Sequence, residues 1–203
     1  MNQARIHLAS ASPRRAELLR QIGVQFSVHP VKIDEARRAD EAPLEFVCRI
    51  ASEKAAAAWC DLASQADRHV LAADTAVVLG GEVFGKPRDR EDCISMLGRL
   101  SGQVHDVLTA VTLQGVHGAT TRCSQSRVRF RDIPDRERLA YWESGEPADK
   151  AGGYAIQGLG AVFVTRLEGS YSGVMGLPLY ETASMLQARG LFAIAVADQK
   201  ENA

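Results

Sequence analysis

Two arginines stand side by side near the start of the chain, in the stretch "SASPRRAELL", where a helix is predicted to begin. Ser12 is a favourable N-cap residue and Pro13 favours the first helical position, so Arg14 and Arg15 fall in the first turn. A helix N-terminus attracts phosphate, but basic side chains there are unfavourable unless an anion neutralises them. The stretch is therefore either an anion-binding site or an ordinary capped helix whose arginines are solvated.

An acidic residue, Asp74, interrupts the apolar segment "VLAADTAVVLGG", and Thr75 follows it on the opposite face of the predicted strand. A carboxylate in such a segment is costly unless it is paired, hydrogen-bonded or bound to a metal ion. Asp74 is therefore a candidate catalytic or metal-binding residue. The alternative is an aspartate at the end of the strand that caps a turn.

A lysine, Lys86, ends the stretch "GGEVFGK", which partly matches the phosphate-binding loop of P-loop nucleotidases. Pro87 occupies the last position of that pattern and has neither the hydroxyl group nor the backbone N–H that the loop requires. The sequence therefore excludes a P-loop NTPase. Lys86 is left as either a phosphate-binding charge on a turn or a solvated loop lysine.

Three further polar residues are candidates on weaker grounds. Glu35 adjoins Asp34 in a polar segment, and Lys54 lies among the alanines of a predicted helix; both patterns are typical of an exposed surface. Gln157 lies in the glycine-rich stretch "AGGYAIQGLG", which is either a loop whose amide pairs with a nucleobase edge or an irregular loop without that role. The cations, the carboxylates Glu35 and Asp74 and this loop together are the groups that metal-assisted attack on a nucleotide phosphate requires.

The elements that must position these residues alternate between strands and helices. Hydrophobic periodicity and turn residues predict strands over 5–10, 25–29, 103–114, 119–131 and 161–167, and a strand, a Gly-Gly turn and a short returning strand over 69–87. They predict helices over 13–22, 43–62, 89–100, 134–144 and 177–189. Tight turns join several of the strands, so we expect an α/β fold with a mixed sheet. Without repeats or linkers, the chain is predicted to form one domain over residues 1–203.

Composition limits the classes of partner. The chain has 24 Lys and Arg against 25 Asp and Glu, a formal net charge of -1, so no overall field would hold nucleic acid or an anionic membrane. The cysteines have neither zinc-ligand spacing nor the density of a disulfide framework, which favours free thiols. With no signal peptide and no apolar run of membrane-spanning length, we expect a cytoplasmic protein without nucleic-acid or membrane partners.

Several blocks of the sequence together resemble the Maf family of nucleoside triphosphate pyrophosphatases. In family order, from about residue 6 to residue 187, they are "LASASPRRAELL", "IDE", "RIASEKA", "LAADTAVVLGGEVFGKP", "MLGRLSGQVHDVLTAV", "DKAGGYAIQGLGAVFV" and "GSYSGVMGLPLYET". The fifth and sixth blocks resemble the dTTP/UTP branch in particular. Ala11, Phe84 and Ala155 depart from the commoner family residues, and each change spares the polar groups.

The resemblance implies an α/β fold like that of inosine triphosphate pyrophosphatases, in which an elongated mixed sheet carries helices in two lobes around a central cleft. It implies hydrolysis of nucleoside triphosphates (dTTP, UTP and modified pyrimidine nucleotides) to the monophosphate and pyrophosphate with a divalent cation, Mg²⁺ or Mn²⁺. It is also compatible with a homodimer.

The resemblance further implies a role for each candidate residue. Asp74 would be the proton acceptor, and Glu35 and Asp74 would hold the metal. The remaining roles would be base preference for Arg14, Thr75 and Gln157, and contact with the phosphates and metal for Ser10, Arg15, Glu35, Lys54 and Lys86.

Two other functions remain open from the sequence. One is a nucleotide-binding regulator of septum formation or cell division without significant turnover, although a pure binder would not need Asp74 and Glu35 together with two lysines. The other is a house-cleaning enzyme that removes modified pyrimidine nucleotides, with canonical nucleotides as secondary substrates.

Overall fold

The computed structural model describes residues 6–65 and 67–194. Its strands are β1 (Ile6–Leu8), β2 (Ser27–Val28), β3 (His69–Leu79), β4 (Glu82–Phe84), β5 (Val104–Gly115), β6 (Gly118–Phe130) and β7 (Val164–Glu168). Its α-helices are α1 (Pro13–Gln21), α2 (Pro43–Asp61), α3 (Arg90–Leu100), α4 (Asp135–Glu143), α5 (Tyr171–Met175) and α6 (Leu179–Ala188). Short 3₁₀ turns cover Glu146–Asp149, Ala151–Gly153 and Leu159–Phe163.

The described strands form one mixed sheet in the order β2-β1-β3-β5-β6-β7, with β4 also paired to β3. The pairs β2–β1 and β1–β3 are parallel, whereas β3, β4, β5, β6 and β7 pair antiparallel. Parallel neighbours need long crossovers, here supplied by α1 and α2, while the antiparallel strands follow tight turns. The predicted α/β fold with a mixed sheet is confirmed.

One edge of β3 is open at its middle. Strand β5 pairs with β3 along residues 70–78, so β1 and β4 must share the other edge. There β1 pairs with residues 69–71 and β4 with residues 77–79, so no strand of the described residues pairs with 72–76 on that side. Asp74 and Thr75 lie in this gap. Asp74 is therefore in the middle of an 11-residue strand, and the alternative of a turn-capping residue at a strand end is wrong.

Hydrophobic clusters divide the helices into two lobes on one face of the sheet. In the first lobe α1 and α6 pack on one half of β3 and β5, through residues that include Leu19, Leu71, Leu113 and Leu186. In the second, α3 and α4 pack on the other half, through residues that include Val77, Leu97, Val107 and Tyr141. Helix α2 covers the opposite face with Val47 and buried alanines. The two lobes expected from the resemblance are present.

Local chemistry explains where most helices and strands begin and end, with three differences from the prediction. The strand predicted over 161–167 begins only at Val164, because residues 161–163 belong to the last 3₁₀ turn. Ser12 occupies the N-cap position of α1, but its side chain makes no capping hydrogen bond. Helix α5 was not predicted, because glycines weaken helical propensity in that segment; Ser170 begins it by accepting a hydrogen bond from the Gly173 N–H at 2.9 Å. In the part of the chain that the structure describes, no helix is long and apolar enough to cross a membrane.

Candidate active site in the cleft between the lobes

A cleft of about 580 Å³ opens beside the gap in β3, a volume within the range usual for small-molecule sites. It is lined by elements that lie far apart in the sequence: the start of α1, the middle of α2 and β3, the end of β4 and the loops that follow α4 and α5. All the candidate residues from the sequence line it, namely Ser10, Arg14, Arg15, Glu35, Lys54, Asp74, Thr75, Lys86 and Gln157.

The centre of the cleft is one ammonium group between two carboxylates. Lys54 Nζ lies 2.9 Å from Asp74 Oδ1 and 2.9 Å from Glu35 Oε1. Lys54 and Asp74 are each only 8% exposed, whereas Glu35 lies on an exposed segment before α2. Ala51 and Ala55 are fully buried on the same helix, and their small side chains bring α2 close to β3. A lysine among alanines usually faces solvent; this one is buried because its charge is paired.

Burial and charge act in opposite directions on Asp74. Desolvation raises the pKa of its carboxyl above the ordinary value, and the nearby Glu35 adds to that rise. The Lys54 ammonium, by charge and hydrogen bond, and then the Arg15 guanidinium pull the pKa back down. Because the net shift is upward, the ionised carboxylate is a stronger proton acceptor than a solvated aspartate.

On the other side of β3, Arg15 is held by neutral oxygen atoms. Its Nε donates to the Gly176 carbonyl at 2.7 Å, and its terminal nitrogens donate to Ser10 Oγ and Thr75 Oγ1, each at 3.2 Å. Burial lowers the pKa of Arg15. Within the described residues its hydrogen bonds reach no carboxylate, although the nearby charges of Asp74 and Glu35 oppose the lowering of its pKa. This geometry favours the anion-binding interpretation of the opening stretch over a solvated helix start.

The structure adds residues that the sequence analysis missed. Thr109 on β5 donates to the Gly173 carbonyl at 2.8 Å and contacts Thr75 Oγ1 at 3.0 Å, and it thereby ties β3 to α5. Asp149 and Lys150 form an ion pair at the mouth of the cleft, where Asp149 also lies 3.8 Å from Arg14. The "DK" before the glycines was a usable signal for the latter pair, whereas nothing local distinguishes a threonine in an apolar strand.

Lys86 and Gln157 lie at the exposed margin of the cleft. Lys86 follows β4, and Gln157 lies between the last two 3₁₀ turns. In the described part of the chain neither side chain has a hydrogen bond or ion pair to the protein. The structure thus brings both residues to the cleft and leaves their polar ends facing it without a protein partner.

The side chains able to act as metal ligands limit the kind of metal site that the cleft can form. Within residues 6–65 and 67–194 no group of three or more His, Cys, Asp or Glu side chains could hold a metal ion. Glu35 and Asp74 nevertheless share Lys54 as a neighbour. Mg²⁺ is commonly held by one or two carboxylates together with substrate phosphates. By donor chemistry, Glu35 and Asp74 would serve as the protein ligands of a divalent cation that arrives with substrate phosphates; in this structure the Lys54 ammonium lies between them.

Comparison with known proteins shows the family of this chain. The family model "Maf-like protein" matches residues 5–189. A dTTP/UTP pyrophosphatase of Hahella chejuensis is 50% identical over 92% of this chain and 93% of its own length. Those of Methylococcus capsulatus and Alkalilimnicola ehrlichii are each 54% identical, over 91% and 89% of this chain and 90% and 91% of their own lengths. This chain belongs to the Maf family.

Proposed function

We propose that this protein is a nucleoside triphosphate pyrophosphatase that converts dTTP and UTP to the monophosphate and pyrophosphate. The observation that carries the proposal is the buried Asp74 carboxylate, with its raised pKa, beside Lys54 in a cleft of nucleotide size. The names of the relatives, which match this chain over about nine-tenths of its length, supply the substrate class.

In the proposed reaction Asp74 accepts a proton from the attacking water. The water oxygen forms a bond to the α-phosphorus, the bond from that phosphorus to the bridging oxygen breaks, and pyrophosphate leaves. Lys54, Lys86 and Arg15 stabilise the negative charge that grows on the phosphate oxygens. A divalent cation held by Glu35 and Asp74 would supply further charge neutralisation.

The base would bind at the margin of the cleft where Gln157 lies. The Gln157 amide offers one donor and one acceptor group, which complement the N–H and carbonyl groups of uracil and thymine. Arg14 and Thr75 line the same cleft and would contribute to base preference. Thr75 Oγ1 already contacts Arg15 and Thr109, so its orientation is set before a nucleotide arrives.

The test is pyrophosphate release from a panel of canonical and modified nucleoside triphosphates, with Mg²⁺ and with Mn²⁺. We expect Asp74→Asn to stay folded and to lose activity by orders of magnitude, while Asp61→Asn, at the exposed end of α2, keeps it. A near-native rate in Asp74→Asn would end the assignment of the proton acceptor. Tight nucleotide binding without turnover would favour the regulator, and a strong preference for modified pyrimidines would favour the house-cleaning enzyme.

Base selection has a separate test. We expect Gln157→Ala to change the ratio of kcat/KM for UTP to that for the other nucleotides, because it removes groups that pair with the base and not those that contact phosphate. An unchanged substrate profile would count against this role.

Organisation as one domain, assembly as a homodimer and the choice between Mg²⁺ and Mn²⁺ stay predictions.

A further inference from the structure

The segment that carries Glu35 has no regular secondary structure. Residues 29–42, between β2 and α2, form neither helix nor strand, and residues 34–40 are exposed. The Glu35 side chain is itself 55% exposed, yet its Oε1 lies 2.9 Å from the buried Lys54 ammonium. Exposed irregular segments are usually mobile. Further contacts must therefore hold this segment at a fixed position against α2.

An ion pair between the buried Glu41 and the partly buried Arg49 lies at the end of this segment. Arg49, on α2, donates from Nε to Glu41 Oε1 at 2.5 Å and from Nη2 to Glu41 Oε2 at 2.8 Å. The two side chains are only 14% and 8% exposed. A two-pronged contact of this kind fixes orientation as well as distance. The Arg49 guanidinium lowers the pKa of Glu41 to about 2, so the pair stays ionised at neutral pH.

The Glu41 and Arg49 side chains also form hydrogen bonds with the backbone of the segment. Arg49 Nη2 donates to the Ala36 carbonyl at 3.0 Å, next to Glu35 in the chain. Glu41 Oε2 accepts a hydrogen bond from the Arg38 N–H at 3.1 Å. The segment is thus attached to α2 at Ala36, within its exposed portion, and at Glu41, directly after it. Arg38 also pairs with Glu53 of α2 at 3.0 Å, on the exposed surface.

Helix α2 therefore carries two residues that contact Glu35 or its neighbouring peptide group and so fix its position. Lys54 contacts the Glu35 carboxylate, and Arg49, five residues earlier on the same helix, holds the neighbouring peptide group. Glu41 and Arg49 are not among the residues that line the cleft, so any effect on a bound nucleotide acts through the segment they hold.

We propose that the Glu41–Arg49 pair is a positioning device that holds Glu35 beside Lys54 and so assembles the phosphate and metal side of the cleft before nucleotide binds. The inference rests on the proposed function for the role of Glu35 itself. A displacement of about 1 Å in a catalytic group can lower a rate by about 100-fold, so loosening this segment reduces kcat. Gln157 is untouched, so the ratio of kcat/KM for UTP to that for other nucleotides stays native.

The experiment compares Arg49→Lys, which keeps the charge and loses the two-pronged contact, with the native protein. In the nucleotide-free protein, hydrogen exchange measured by mass spectrometry should become faster in residues 31–41 and stay unchanged in β3. In turnover assays kcat should fall by about 10- to 100-fold and the half-saturating Mg²⁺ concentration should rise. Mn²⁺ binding with a non-hydrolysable UTP analogue, followed by electron paramagnetic resonance, should weaken in parallel.

Arg99→Lys is the matched control. Arg99 makes the same two-pronged contact with Glu82, at 2.7 and 2.6 Å, on the β4–α3 side of the molecule. It should change neither exchange in 31–41 nor the Mg²⁺ dependence. If Arg49→Lys does not fold, Glu41→Gln, which keeps the size and weakens the contact, takes its place.

Native exchange in 31–41 in a folded variant would overturn the proposal. Faster exchange with native kcat, Mg²⁺ dependence and Mn²⁺ binding would overturn it equally. If the native protein hydrolyses no nucleoside triphosphate, the proposed function fails, whereas the exchange measurement still reports whether the pair holds the segment.

Discussion

His105 should make the stability of this protein depend on pH. The side chain is 2% exposed, its Nε2 lies 2.8 Å from the Tyr154 hydroxyl, and the rings of Phe130 and Tyr154 contact it edge-on. Burial lowers the pKa of His105 from 6.5 to about 4, with Asp106 opposing that shift only in part. The folded protein therefore keeps this imidazole neutral at pH values where the unfolded chain would protonate it.

The sign and size follow from that difference in pKa. Between pH 6.5 and 4 the unfolded state binds one more proton than the folded state, so the free energy of unfolding falls as the pH falls. Relative to neutral pH, the loss attributable to His105 is about 2 kcal/mol at pH 5 and about 3 kcal/mol at pH 4. Against a typical total of about 5–15 kcal/mol, a loss of this size is readily measured.

The assay is urea unfolding of the native protein and of His105→Phe at pH 7, 6, 5 and 4. Phenylalanine keeps the ring but cannot titrate, so the variant should be less stable at pH 7 and should lose about 2–3 kcal/mol less between pH 7 and pH 4. His117→Gln, in the exposed β5–β6 turn, should keep the native pH dependence. Parallel pH curves for the native protein and His105→Phe would refute the reasoning.

Two further substitutions test the loop after α4 by urea unfolding. Gly152→Ala puts a methyl group 2.9 Å from a valine of β3 at a φ of 69°, and should lower the free energy of unfolding by about 2–5 kcal/mol. Gly145→Ala, at a φ of 75° with open space around it, should lower it by only about 1–2 kcal/mol. Equal losses would contradict the steric argument. Tyr141→Phe removes the hydroxyl that accepts the Ala155 N–H at 3.1 Å, and should lower the free energy of unfolding by about 1–3 kcal/mol. Substitution of the exposed Tyr180 by Phe should change it by less than about 0.5 kcal/mol. Equal stabilities of the two variants would argue against a contribution from that hydrogen bond.

Local patterns were enough for most of the fold. The predicted helix over 43–62 is α2, Pro43–Asp61, because Pro43 begins it and an apolar stripe continues through it. The turn at Gly80 and Gly81, both with positive φ, separates β3 from β4 as predicted. Helix α5 could not be predicted, since its glycine-rich segment is helical through a serine cap and packing against β5.

Some candidate residues of the cleft also carried a signal in the local sequence, and others did not. The cost of burying Asp74 was visible from its apolar neighbours, and the unfavourable charge of Arg15 was visible from its place at a helix start. Lys54 and Glu35 carried no such signal, because a lysine among alanines and a carboxylate in a polar segment are ordinary surface patterns. Only the family resemblance singled them out in the sequence, and the structure then places them in 2.9 Å contacts at one centre.

The sequence by itself determined the kinds of elements, the mixed sheet, the family and the residue types able to perform phosphate chemistry. These depend on periodicity, turn residues and side-chain chemistry, all of which are local. Only the tertiary structure decided that β1 and β4 leave a gap on β3, that α2 turns Lys54 inward to Asp74, and that Arg49 and Glu41 hold the segment of Glu35. Such contacts join residues distant in sequence, and their energies depend on burial and distance, which no local pattern contains.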